Sequence, residues 1–119
     1  MRLSDDLRNR TKLFASAIIR LYIRLPKGRE EVAILGKQMI RAGTSVASHA
    51  REASRAHSDS EFCSKLDCLL QETDETQLWI EFLADDCNID DPEVAILHRE
   101  SGEIIAIFTT IVSKVRKNL

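Results

Sequence analysis

Apolar side chains recur at alternating steps of three and four through almost the whole chain. That spacing permits little besides helices packed lengthwise against other helices. The first stripe is Leu7, Thr11, Phe14, Ile18, Leu21 and Leu25. Ser4 stands at its head as an N-cap, with Asp5 and Asp6 where the positive end of a helix dipole favours carboxylates. Leu25-Pro26-Lys27-Gly28 then breaks the stripe, because proline disfavours helical geometry in the residue before it and glycine frees the turn. The expected first helix covers residues 4–24, and a second covers 29–55.

Helix two carries two stripes. Val32, Leu35, Met39, Ala42, Val46 and Ala53 form one, and Ala33, Gly36, Ile40, Gly43, Ala47 and Ala50 form the other. A helix apolar over so wide an arc must be covered from two directions. Glycine inside a helix costs about 1 kcal/mol relative to alanine, so the Gly and Ala stripe implies a close approach by a neighbouring helix. That neighbour is either a helix of the same bundle or a second subunit. The sequence leaves open whether helix two runs straight through Ala50 to Arg55 or bends before Ser58.

Ser58-Asp59-Ser60-Glu61 is a capping box placed directly ahead of an apolar run that begins at Phe62. Phe62, Leu66, Leu69, Thr73, Thr76, Ile80 and Leu83 keep the heptad spacing of a third helix over 58–86. Leu78, Trp79 and Phe82 lie outside that seam, and aromatic area beside a core seam is the kind of surface an interface covers. Asp91-Pro92 opens a fourth helix over 91–117, with the stripe Val94, Leu97, Ser101, Ile104, Phe108, Ile111 and Val115. No strand signal is present. Short connections force consecutive helices antiparallel, so the expected fold class is all-α, an up-down-up-down antiparallel four-helix bundle occupying residues 1–119 as one domain.

These residues resemble one small bacterial family, the four-helix-bundle 23S rRNA intervening-sequence (S23-type) proteins. That family includes the accessory variability determinant of diversity-generating retroelements. Its members show a small-residue second helix, then S-x-x-E-F, then an ET-x-x-W pattern. The counterparts are the segment from Arg41 to Ala53, then Ser58 to Phe62, and Glu75-Thr76 with Trp79 inside the run from Glu72 to Glu81. The chain departs from the pattern at Gly43, His49 and Ala53, which concerns the local turn of helix two more than the fold. The resemblance implies a homopentameric ring. With it, Gly36, Ile40, Gly43, Ala47, Leu78, Trp79 and Phe82 become candidate subunit-interface residues.

The length fits one domain, and a chain of 119 residues buries only about two thirds of the surface its unfolded form exposes. Self-association is therefore expected. No apolar run reaches the roughly 18 residues of a membrane span, and the first residues lack an apolar signal-peptide core. The expected location is the cytoplasm, with no membrane partner. Cys63, Cys68 and Cys87 contain no CxxC pair and read as free thiols.

Catalytic and metal chemistry find little footing. A ferritin-like di-iron centre needs Glu-x-x-His pairs, and the chain has none. Glu72 and Glu75 read as a polar cluster, and His57 with Glu61 lacks further ligands. Cys63, Cys68, Ser45 and Ser48 have no base at an arguable spacing, and no phosphate-binding glycine loop exists. No cofactor, no metal and no enzymatic activity are expected.

Charge is strongly divided although the net value is only −2. Residues 1–55 hold twelve Lys or Arg against five Asp or Glu, whereas residues 56–103 hold two against fourteen. In one reading the basic half of a subunit faces the acidic half of the next, making the protein an assembly or adaptor module whose partner is itself. In the alternative, Arg20, Arg24, Lys27, Arg29, Lys37, Arg41, Arg51 and Arg55 bind RNA, DNA or a ribonucleoprotein through phosphates.

Overall fold

The structure, a computed structural model, describes residues 3–119; Met1 and Arg2 lie outside them. Four helices follow one another: α1 (Asp5–Arg24), α2 (Glu30–Ser54), α3 (Asp59–Asp85) and α4 (Pro92–Arg116). Local chemistry sets their starts. Ser4 Oγ accepts from the Leu7 amide at 3.2 Å, Ser58 Oγ from Glu61 at 3.0 Å, and Asp91 from Glu93 at 3.0 Å. Glu61 reaches back to the amide of His57 rather than to that of Ser58. Arg29, at the head of α2, makes no side-chain cap bond. α2 continues unbroken through Ala50 and stops at Ser54, with Arg55 as its C-cap.

The end of α3 is marked by Asn88, which has φ of 54° and is the one non-glycine residue with positive φ among the described residues. The Ile89 amide bonds to the Leu83 carbonyl at 3.0 Å and the Cys87 amide to Phe82 at 3.1 Å. This is the left-handed C-terminal stop that Asn tolerates, and it folds Cys87 and Ile89 onto the core.

The molecule measures 49 × 21 × 20 Å, an up-down-up-down four-helix bundle. α2 packs along both α1 and α3, and α3 along α4, while α1 and α4 touch much less. α1 does not touch α3, and α2 does not touch α4, so these pairs lie across the diagonals of the bundle.

The core is the set of heptad stripes, from Phe14, Ile18 and Leu21 through Met39 and Val46 to Phe62, Leu66, Ile80 and Phe108. Burial of this apolar area stabilises the bundle at about 25 cal/mol per Å². On α4 the stripe drifts by one residue: Val112 is buried, whereas Ile111 and Val115 are half-buried. Buried Thr11, Thr73, Thr76 and Ser101 each donate to a carbonyl three or four residues earlier, so no hydroxyl in this layer is orphaned. No helix of the described residues is long and apolar enough to cross a membrane.

Candidate functional site

The Gly and Ala stripe of α2 faces α1 of the same chain. A Cβ added to Gly36 would come within 2.9 Å of Leu25 Cδ1 and 3.3 Å of Tyr22, and one added to Gly43 within 2.8 Å of Ile18 Cγ2. The two glycines exist to let α1 and α2 approach, which corrects their assignment as subunit-interface candidates. α1 already fills the space beside them. Ile40 and Ala47 are half-buried, and Ile40 packs on the core.

The aromatic flank of α3 is different. Leu78 is 43% and Phe82 37% exposed, while Trp79 is half-buried against the core with its ring centroid 6.1 Å from that of Phe82. Trp79 Nε1 is buried and has no hydrogen-bond partner among the described residues. Open apolar side chains also stand at positions that sequence reasoning passed over. Ile19 and Ile23 on α1 are 38% and 68% exposed, Ile34 on α2 is exposed, and Leu13 and Ile96 line the loose α1–α4 seam. The signal for Ile19 and Ile23 was legible, since both fall outside the α1 stripe.

The eight basic residues nominated as nucleic-acid contacts divide into two groups. Arg24 holds Asp91 at 2.8 Å, and Arg29 donates to the Cys87 carbonyl at 2.9 Å and pairs with Glu31. Lys27 donates to the carbonyls of Tyr22, Ile23 and Leu25 at the end of α1, and its ammonium sits over the Tyr22 ring. Arg41 lies 3.6 Å from Glu72 and 3.8 Å from Glu75. Arg24, Arg29 and Arg41 tie elements of the bundle together, and Lys27 closes the end of α1. Arg20, Lys37, Arg51 and Arg55 are exposed and have no acidic partner among the described residues.

Lys37, Arg41, Thr44, Ser48, Arg51 and Arg55 succeed one another at steps of four and three, which places them on one outward line of α2. The eighteen residue steps from Lys37 to the C-cap Arg55 make that line about 27 Å long. Arg51 also lines a shallow groove with Arg8, Lys12 and Asn9 of α1.

Several carboxylates are held in ion pairs. Glu72 is half-buried beside Glu75 and Arg41, and burial together with the Glu75 charge holds its pKa above the usual carboxylate value. Hydrogen bonds from His49 and Lys65 push Glu52 below it. His98 meets Glu81 at 2.8 Å on the α3–α4 face. Ser45 Oγ donates to the Arg41 carbonyl and His49 turns to Glu52, so the two do not form a nucleophile and base pair. His57 reaches Glu61 through its backbone amide. Among the described residues no three His, Cys, Asp or Glu side chains are arranged to hold a metal ion. Cys63 and Cys87 are buried, Cys68 is half-buried, and none is paired.

Comparison with known proteins matches residues 6–110 to the family described as 23S rRNA-intervening sequence protein. A crystal structure of a protein of unknown function from the S23 ribosomal protein family of Bacteroides thetaiotaomicron VPI-5482 is similar, with a TM-score of 0.79 and 29% identity. The match covers 92% of this chain and 96% of that one. No curated protein matches the chain.

Proposed function

The chain belongs to the 23S rRNA-intervening sequence protein family, and on that footing we propose that it acts without catalysing a reaction, as an assembly or adaptor module built from copies of itself. The observation that carries this reading is the apolar area left open on opposite sides of a small bundle. Ile19 and Ile23 stand on α1, and Leu78 and Phe82 on α3. A lone subunit leaves both patches in water, where their burial contributes nothing. The number implied by the family resemblance is five, arranged as a ring. Three unpaired cysteines fit a reducing compartment, the cytoplasm.

Native mass spectrometry on protein purified at low salt without nuclease tests the proposal. A five-subunit mass is the expected result, and a monomer across micromolar concentrations would remove the assembly reading.

A second reading has one observation in its favour, the outward line of α2 on which Lys37, Arg51 and Arg55 carry no acidic partner among the described residues. Such a track suits the phosphates of RNA or DNA and reads no sequence. Binding to a single-stranded oligoribonucleotide should then weaken steeply with salt, and Arg51→Glu with Arg55→Glu should abolish it. Binding that ignores both changes would exclude the track.

A further inference from the structure

The two open apolar patches differ in their rims. Lys12 and Arg20 lie along α1 on the same outer side as Ile19 and Ile23, at helical steps of three, four and seven. Lys37 of α2 joins them, because Gly36 packs on Tyr22 and Leu25 and so puts its neighbour level with Ile23. All three cations are exposed and have no acidic partner among the described residues. On α3 the order is reversed in sign. Asp74, Leu78, Phe82 and Asp86 follow at steps of four with Asp85 beside them, and these three carboxylates are exposed and have no cationic partner among the described residues. One patch is apolar within a cationic rim and the other is apolar within an anionic one.

Their placement is equally specific. α1 and α3 lie across a diagonal without touching, so their outer faces look away from each other. In an up-down-up-down bundle α1 and α3 run in the same direction, and each patch occupies the C-terminal part of its helix. Both patches therefore sit at the same end of the molecule. A contact that joined them would carry one copy onto the next with little climb along the bundle axis; such a heterologous contact closes into a ring where the rotation between copies divides a full turn, and otherwise extends as an open row.

We propose that copies of this chain associate head to tail, with the Leu78–Phe82 ridge of α3 on one copy seated against Ile19 and Ile23 of α1 on the next, the Asp74, Asp85 and Asp86 rim facing Lys12, Arg20 and Lys37. The proposal rests on the assembly reading above and names its surfaces. Opposite charges fix which face meets which and exclude α1 against α1 or α3 against α3. The other exposed apolar seam, Leu13 and Ile96 between α1 and α4, lacks this complement. Its rim carries both signs, and Arg10 there is already committed to Glu100 and Glu103.

The test uses two single variants of the full chain, Ile23→Asp and Phe82→Asp, in nuclease-treated protein at about physiological salt. Both positions are exposed, so each variant keeps its helical circular-dichroism spectrum. Each alone should sediment as a monomer, with association at least tenfold weaker than wild type. Mixed together they should form a dimer and nothing larger, because the Ile23→Asp copy retains an intact α3 face and the Phe82→Asp copy an intact α1 face. Should either variant lose helicity, Arg20→Glu and Asp85→Lys replace them: each weakens association alone, and combined in one chain they restore it. Variants that assemble like wild type, or a mixture that stays monomeric, overturn the head-to-tail contact while leaving self-association intact. A monomeric wild type overturns both readings.

Discussion

Ile18 fills the space that a side chain on Gly43 would need, with its Cγ2, Cγ1 and Cβ lying 2.8, 3.0 and 3.2 Å from the position of an added Cβ. A β-branched side chain has no freedom to swing aside inside a helix. Gly43→Ala should therefore destabilise the bundle by up to about 2 kcal/mol, an overpacking cost of about 1–3 kcal/mol partly offset by a helix-propensity gain of about 1 kcal/mol. Gly102 is the internal control. An added Cβ there meets only Gln77 Nε2, at 3.7 Å, so Gly102→Ala should stabilise by about 0.5–1 kcal/mol. Thermal melts of the two variants should shift in opposite directions, and a common sign would refute the close α1–α2 approach.

The stripes and caps behind this geometry were written in the chain. Ser4, Ser58 and Asp91 cap where their side-chain chemistry says they should, because capping acts within one turn. What no local pattern could say is that Gly43 meets Ile18. The choice between a partner in the same chain and one in a second copy depends on how the bundle closes.

Arg10 forks onto Glu100, Nε to Oε2 at 2.7 Å and Nη2 to Oε1 at 2.8 Å, joining α1 to α4 where those helices otherwise touch least. The guanidinium hydrogen bond holds the Glu100 carboxyl below its ordinary value of 4.5. Because the folded state binds that proton more weakly than the unfolded state, the contribution is present above pH 4.5 and lost as pH falls through the lower folded value. A double-mutant cycle with Arg10→Ala and Glu100→Ala should give a coupling of about 0.5–1 kcal/mol at pH 7, given the partial exposure of both groups. The coupling should vanish in acid; a pH-independent coupling would mean that packing, not charge, joins the pair.

Glu72 has the opposite sign. Burial and the charge of Glu75 raise its pKa above 4.5, with Arg41 and His49 opposing them. The folded chain binds this proton more tightly than the unfolded chain, so ionised Glu72 weakens folding at neutral pH and the penalty fades as pH falls. Glu72→Gln should raise stability at pH 7 by up to about 1 kcal/mol, and the two proteins should converge below pH 4.5. Urea midpoints at pH 4 and pH 7 decide this; a variant less stable at pH 7 would show that the Arg41 interaction outweighs burial.

Thr73 is fully buried in the α3 stripe and its hydroxyl donates to the Leu69 carbonyl at 2.7 Å. That carbonyl belongs to the α3 ladder, so removing the hydroxyl strands no essential group. Thr73→Val should change stability by less than about 1 kcal/mol, whereas Phe108→Ala, at a fully buried ring, should cost about 3–5 kcal/mol. Chemical denaturation of both variants gives the comparison. A Thr73→Val loss near that of Phe108→Ala would mean the hydroxyl serves more than its own helix.

Four helices, their caps, the stripes they bury and the division of charge were determined by the sequence alone, because each is local or periodic along one helix. Tertiary structure decided the pairings. It set Gly36 and Gly43 against α1, spent Arg24, Lys27, Arg29 and Arg41 within the subunit, and left Arg20, Lys37, Arg51 and Arg55 without acidic partners among the described residues. It also shifted burial on α4 from Ile111 to Val112, because a straight helix drifts against a strict seven-residue repeat. Which side chains stay open depends on which helices are neighbours and on which side each neighbour lies. Burial periodicity along one helix carries no record of that arrangement, and only the closed bundle fixes it.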